Sequence, residues 1–205
     1  MANFPRTVPS ARAAPPKVPT GLVSVGRTGK AQLRSEVRVG RRWTEVWSAI
    51  KAGDEDVEAL LAFIEQNYNL LTIIDVDHPF LPGSGKAPNG AGGGTPLVNG
   101  ANQTGSSLVT NGWPNATLVM KAGDCFKVAG LNALYRNVDD GTSDGSGNLT
   151  LNINPPIASG SSPANGAALT LSGNRIRCFI LDYEPGSANP GEYMVGMSVT
   201  FQEVP

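Results

Sequence analysis

Few residues in this chain have the types or the spacing that chemistry requires. His78 is the single histidine, and a catalytic base would need a nucleophile and an orienting group within hydrogen-bond reach. No nucleophile motif accompanies it, so a structural role is expected. Gly83-Ser84-Gly85-Lys86 has the outline of a phosphate loop. However, Phe80 stands where the first glycine of GxxxxGK(S/T) belongs, and Ala87 replaces the magnesium-binding hydroxyl. Asp139, Asp140, Asp144 and Asn148 could ring a calcium ion, but the DxDxDG spacing and the closing glutamate are missing. Asp75 with Asp77, and Glu184 with Glu192, could pair as glycosidase carboxylates, yet no substrate-stacking aromatic cluster accompanies them. Asn102, Asn115 and Asn148 match the glycosylation triplet, which has meaning only in a secreted chain. Cys125 and Cys178 lie in strand-like apolar runs and read as free buried thiols rather than a disulfide. The expectation is a protein that is not an enzyme, with no catalytic residue, no cofactor-binding residue and no metal site.

The elements that would position these residues are mostly strands. Gly and Pro make up 41 of the 205 residues, above the average of roughly 12%, as many short strands joined by turns would require. Residues 1–20, with five prolines, read as an extended N-terminal arm that makes no ladder of its own but can lie along a neighbouring surface. Strands are predicted at Gly21–Val25, Lys30–Val39 and Arg41–Ile50, the last with Trp43, Glu45, Trp47 and Ala49 on one face. One helix is predicted over 54–68, with acids at its start and Val57, Leu60, Leu61, Ile64 and Tyr68 in one apolar stripe. Leu70–Val76 reads as a buried strand, and Gly/Pro-rich residues 81–95 as a flexible linker. Short strands are then predicted at Ser106–Thr110, Thr117–Lys121, Asp124–Ala129, Ala133–Val138, Asn148–Asn154 and Ala167–Leu171, with a hairpin tip over 139–148. Arg175–Tyr183 and one long strand from Tyr193 to Gln202 end the chain. The fold class is therefore mainly β: a β-sandwich with one flanking helix (21–80 plus 174–205), interrupted by a small β-rich insertion domain (96–173).

Charge is unevenly divided along the chain. Residues 1–51 hold ten bases against two acids, a net +8, whereas residues 52–205 hold six against fifteen, a net −9. A basic arm could bind nucleic acid. Alternatively the chain could associate head to tail, its basic surface meeting the acidic surface of a copy. The second reading is favoured, because the bases lie in strand-like segments and lack both a compact cluster and interleaved aromatics. Merely solvated faces remain the plainer alternative. The start of the chain has no apolar signal core, and its longest apolar run, Leu70–Ile74, is far short of the ~20 residues that span a bilayer. Folding in a cytoplasm without membrane insertion is expected.

Three segments, in order, resemble one family. The first is Arg41-Arg42-Trp43 followed by an acidic helix ending in AFIEQNYN (62–69). The second is TPLVNGANQTGSSLVTNGW (95–113), continuing into LVMKAGDCFKVAG (118–130) and DGSGNLTLNINPPI (144–157). The third is the terminal SVTFQEVP. From about residue 27 onward this is similar to the bacteriophage distal tail proteins. The resemblance implies a hexameric ring in the virion, assembled in the host cytoplasm, that joins the tail tube protein to the tail-tip or baseplate hub protein. DNA would pass through the lumen without specific binding. In such a ring Arg34, Arg38, Arg41 and Arg42 are expected at the subunit interface, with Trp43 and Trp47 as core or interface anchors. A tail tube or tube-completion subunit is the nearest alternative. A host-surface carbohydrate-binding module, built on Trp113, Phe126 and Tyr135 of the insertion, is the alternative from another class, and DNA binding is a third.

Overall fold

The computed structural model describes residues 2–5, 12–13, 23–25, 31–33, 42–47, 50–51, 55–69, 72–77, 89–187, 193–194 and 196–204. His78, the 83–86 segment, Glu192, Arg34, Arg38 and Arg41 lie outside them. The chain is mainly β with one helix, and its sheets curl. It divides into two units, one of residues 1–79 with 177–205 and the other of residues 80–176.

The first unit begins with β1 (Ala2–Asn3), β2 (Arg12–Ala13), β3 (Val23–Val25), β4 (Ala31–Leu33), β5 (Arg42–Trp47), β6 (Ile50–Lys51), α1 (Glu55–Asn69) and β7 (Ile74–Asp77). Within the second unit lie β8 (Leu97–Val98), β9 (Gly105–Asn111), β10 (Leu118–Met120), β11 (Cys125–Val128), β12 (Leu134–Asn137), β13 (Gly141–Thr142), β14 (Leu149–Ile157) and β15 (Leu169–Thr170). The chain then returns to the first through β16 (Arg175–Glu184), β17 (Tyr193–Met194) and β18 (Met197–Glu203).

The large sheet of the first unit has the order β1-β7-β16-β18-β5-β2. Alternation along β5 buries Trp43, Glu45 and Trp47 and turns Arg42, Thr44 and Val46 the other way. Facing them across the ladder, Phe201 pairs with Trp43 and Val199 with Glu45. Helix α1 covers this core face. Val57, Leu60 and Ile64 are fully buried, and Phe63 meets Phe4 edge-on at 5.8 Å. Glu55, Asp56 and Glu58 occupy the first turn, where negative charge opposes the positive end of the helix dipole.

Two expectations change here. The N-terminal arm does make ladders. β1 runs parallel to β7 and β2 antiparallel to β5, so arm residues form both edges of the sheet. The prolines leave Ala2–Asn3 and Arg12–Ala13 free of proline, with their N–H donors intact. The predicted Arg41–Ile50 strand is described at Arg42–Trp47 and Ile50–Lys51, and residues 41, 48 and 49 lie outside the described residues. Finally, the long terminal strand breaks at Gly196, whose φ of 81° lies where glycine alone is comfortable. The same register carries on from Met197 opposite Trp47 to Met194 opposite Ile50.

In the second unit, six antiparallel strands follow the order β15-β11-β12-β14-β9-β8. The two ends of this sheet meet. Leu97 bridges to Ala168, Val98 N–H donates to Ala167 O at 2.9 Å, and Leu169 N–H donates to Pro96 O at 2.9 Å. The result is a small closed barrel, which removes the unpaired edges an open sheet would expose. Leu108, Phe126, Tyr135, Leu151 and Ile153 fill it. The 139–148 segment is more than a tip, since it contains β13, which pairs with β10. Likewise β14 runs on past Asn154 to Ile157, with its register to β9 shifting after Asn152.

The described part of the expected flexible linker is held down. Ala91 N–H and Gly92 N–H donate to the Leu118 and Val119 carbonyls at 2.8 and 3.0 Å. A Cβ on Gly90 would sit 2.4 Å from the Val119 backbone. Here glycine permits close backbone approach rather than freedom of movement.

Candidate subunit interface

Arg42 is exposed at the start of β5. Its Nε donates to Gln202 Oε1 at 3.0 Å, an orienting bond across a ladder pair. The next pair on that outward face joins the Thr44 and Thr200 hydroxyls at 2.9 Å. Trp43 and Trp47, named with the arginines as anchors, are 2% and 0% exposed in the core of their own unit. Trp43 stacks on Phe201 at 5.2 Å and donates Nε1–H to the buried Glu45 Oε1 at 3.1 Å. The structure therefore places Arg42 on one face of the sheet and both tryptophans on the other.

Four of the fifteen acids of residues 52–205 lie on α1. Glu55, Asp56, Glu58 and Glu65 are all exposed, and the helix contains no Lys or Arg. Near its C-terminal end Tyr68 meets Tyr183 edge-on at 6.3 Å. Partial burial, and secondarily the Glu65 carboxylate, push the Tyr183 phenol above its ordinary range. Since the folded phenol keeps its proton longer than the unfolded one, this contribution to stability is complete below the ordinary tyrosine range. It is lost as pH rises through the raised folded value. Replacing Glu65 with Gln is expected to lower the Tyr183 pKa while leaving it above the ordinary value, because burial persists. Ultraviolet absorbance titration checks this, with Tyr183→Phe identifying the component; an unmoved titration would remove Glu65 as a cause.

The acids considered for calcium already accept hydrogen bonds from the protein. Asp144 Oδ1 accepts the N–H groups of Ser146 and Asn148, both at 2.8 Å, and its Oδ2 accepts Asn148 Nδ2–H at 3.0 Å. The Asn148 backbone bond, then its side chain, then the Ser146 bond hold the Asp144 carboxyl below its usual range. That contribution is present above the ordinary carboxylate range and disappears as pH falls through the lowered folded value. Asp139 accepts Asn152 Nδ2–H at 2.8 Å, and Asp140 accepts Ala122 N–H at 2.9 Å. Among the described residues no three His, Cys, Asp or Glu side chains gather as a metal site would require. Cys125 and Cys178 are buried free thiols. No described helix is long and apolar enough to cross a membrane.

Trp113, Phe126 and Tyr135 are 4%, 0% and 3% exposed, so these aromatics pack the barrel instead of forming a sugar-stacking platform. Trp113 Nε1–H donates to Thr110 Oγ1 at 2.8 Å, and the same hydroxyl donates to Leu149 O at 2.7 Å. Sequence reasoning missed Asp124, which is 4% exposed and accepts four N–H bonds from Asn89, Gly90 and Lys121. An acid after Ala122-Gly123 signals a turn, but nothing local points to partners 35 residues away. No family model matches the chain, and no curated protein matches it.

Proposed function

We propose that this protein is a structural subunit of a bacteriophage tail, forming a ring that joins the tail tube to the tail-tip hub. The three ordered segments that resemble distal tail proteins support this reading. The structural observation that carries it is where the charge lies. Residues 80–176 hold five bases and four acids, close to balance, so the division between base and acid falls within the unit of residues 1–79 and 177–205. One unit then supplies complementary surfaces for repeated head-to-tail contact, and the barrel is an appendage to it. A lumen with few outward bases lets a phosphate backbone slide without capture.

The test is absolute mass by light scattering across a salt series, alone and with purified tail tubes, with negative-stain images of the main species. Open-centred rings that weaken at high salt are expected. Arg38→Glu with Arg42→Glu should leave the monomer folded but abolish rings. Normal rings from that double variant would remove these arginines from the interface. A wild-type chain that stays monomeric even with tubes would overturn the ring.

A further inference from the structure

Helix α1 turns outward a charged stripe that nothing in the helix answers. Glu55, Glu58, Ala62 and Glu65 are all exposed and fall within about a quarter of the helix circumference, along about 15 Å of its axis. Glu55 and Glu58 are like charges one turn apart, which is unfavourable within a helix. Glu65 stands toward the C-terminal end, where the helix dipole opposes an anion. Helix propensity suits Glu65, but the helix has no base to offset its charge.

The geometry of the unit says what could. Helix α1 packs on the sheet face that carries Trp43, Trp47 and Phe201, through Phe63 against Phe4 and Phe4 against Phe201. Arg42 alternates with Trp43 along β5 and therefore leaves the sheet from the opposite face. The acidic stripe and the exposed arginine thus stand on opposite sides of one unit. A twofold contact through the stripe would set acid against acid. Contact between the opposite sides of two copies is heterologous and passes the same match to the next copy, as a ring or filament requires.

We infer that the outward face of α1, with Glu55, Glu58 and Glu65, docks the Arg42-bearing face of a second copy of this chain. The inference rests on the ring reading and assigns its acidic half. Arg42 suits the role, because its Nε bond to Gln202 orients a guanidinium whose terminal amino groups can donate to a carboxylate.

The experiment compares the assembled mass of the wild type with that of Glu58→Lys/Glu65→Lys at low and moderate salt, with near-ultraviolet circular dichroism as the check on folding. Association at least tenfold weaker, with an unchanged spectrum, is expected. The triple variant that adds Arg42→Glu should recover part of the loss. Should the lysine variant fold poorly, Glu58→Gln/Glu65→Gln replaces it, with a smaller loss and a flatter salt dependence expected. Rings of normal strength from a folded α1 variant would overturn this assignment and leave the ring reading standing. Failure of the wild type to assemble, even on tubes, would overturn both.

Discussion

Alanine at position 124 is expected to destabilise the 80–176 unit by about 2–4 kcal/mol, the combined effect of two or more donors losing a buried charged acceptor. Asp124 Oδ1 takes the Asn89 backbone and side-chain N–H groups, both at 2.8 Å, and Oδ2 takes Gly90 N–H at 3.2 Å and Lys121 N–H at 2.7 Å. It joins the Gly-rich segment entering the barrel to the turn before β11. The measurement is amide hydrogen exchange at Gly90, Ala91 and Gly92, beside a denaturant melt. Asp124→Ala should speed exchange there by tens to hundreds of fold, since about 1.4 kcal/mol is a factor of ten. Asp124→Asn, which keeps one carbonyl oxygen, should fall between. Unchanged exchange at those amides would mean that the glycine segment is held by its ladder bonds to β10 alone.

The second large effect is expected at Phe4. Although it follows only three residues of the arm, it is 4% exposed, with rings of Phe201, Phe63 and Trp47 centred 5.1, 5.8 and 6.2 Å away. Its backbone N–H also donates to Asp75 O at 2.9 Å. Phe4→Ala should lower stability by about 3–5 kcal/mol, as for other fully buried aromatics truncated to alanine. Phe4→Leu should lose less. Urea melts of the three proteins decide it. A loss for Phe4→Ala below about 0.5 kcal/mol, within the range of an exposed site, would show that the arm merely rests on the sheet.

How much of this could be seen in the sequence depends on the range of the interaction. The helix was legible to within a residue at each end, because Val57, Leu60 and Ile64 repeat at its own period. The faces of β5 and β14 were legible for the same reason, a two-residue alternation that needs no knowledge of the partner. What was hidden depends on distant backbone. Gly90 looks like part of a linker, since close packing on Val119 and freedom of movement select the same residue. Closure of the barrel rests on Leu97 meeting Ala168, and neither residue carries a sign of it. Among the residues expected at an interface, spacing assigned Trp43 and Trp47 to a common face without telling core from contact. Burial separates them from Arg42.

The strand order of the first unit bears on how the protein is made. β16 and β18 lie between β7 and β5, so two strands from the C-terminal end separate those from the beginning. The 80–176 barrel is contiguous and has all its strands as soon as it leaves the ribosome. The other sheet lacks its middle until β16 and β18 emerge, a pairing of high sequence separation that is slow to close. A nascent chain therefore carries a complete 80–176 unit beside an incomplete first unit. For the ring proposed above, this order would defer assembly until β16 and β18 have joined the sheet, when both faces of the proposed contact exist together.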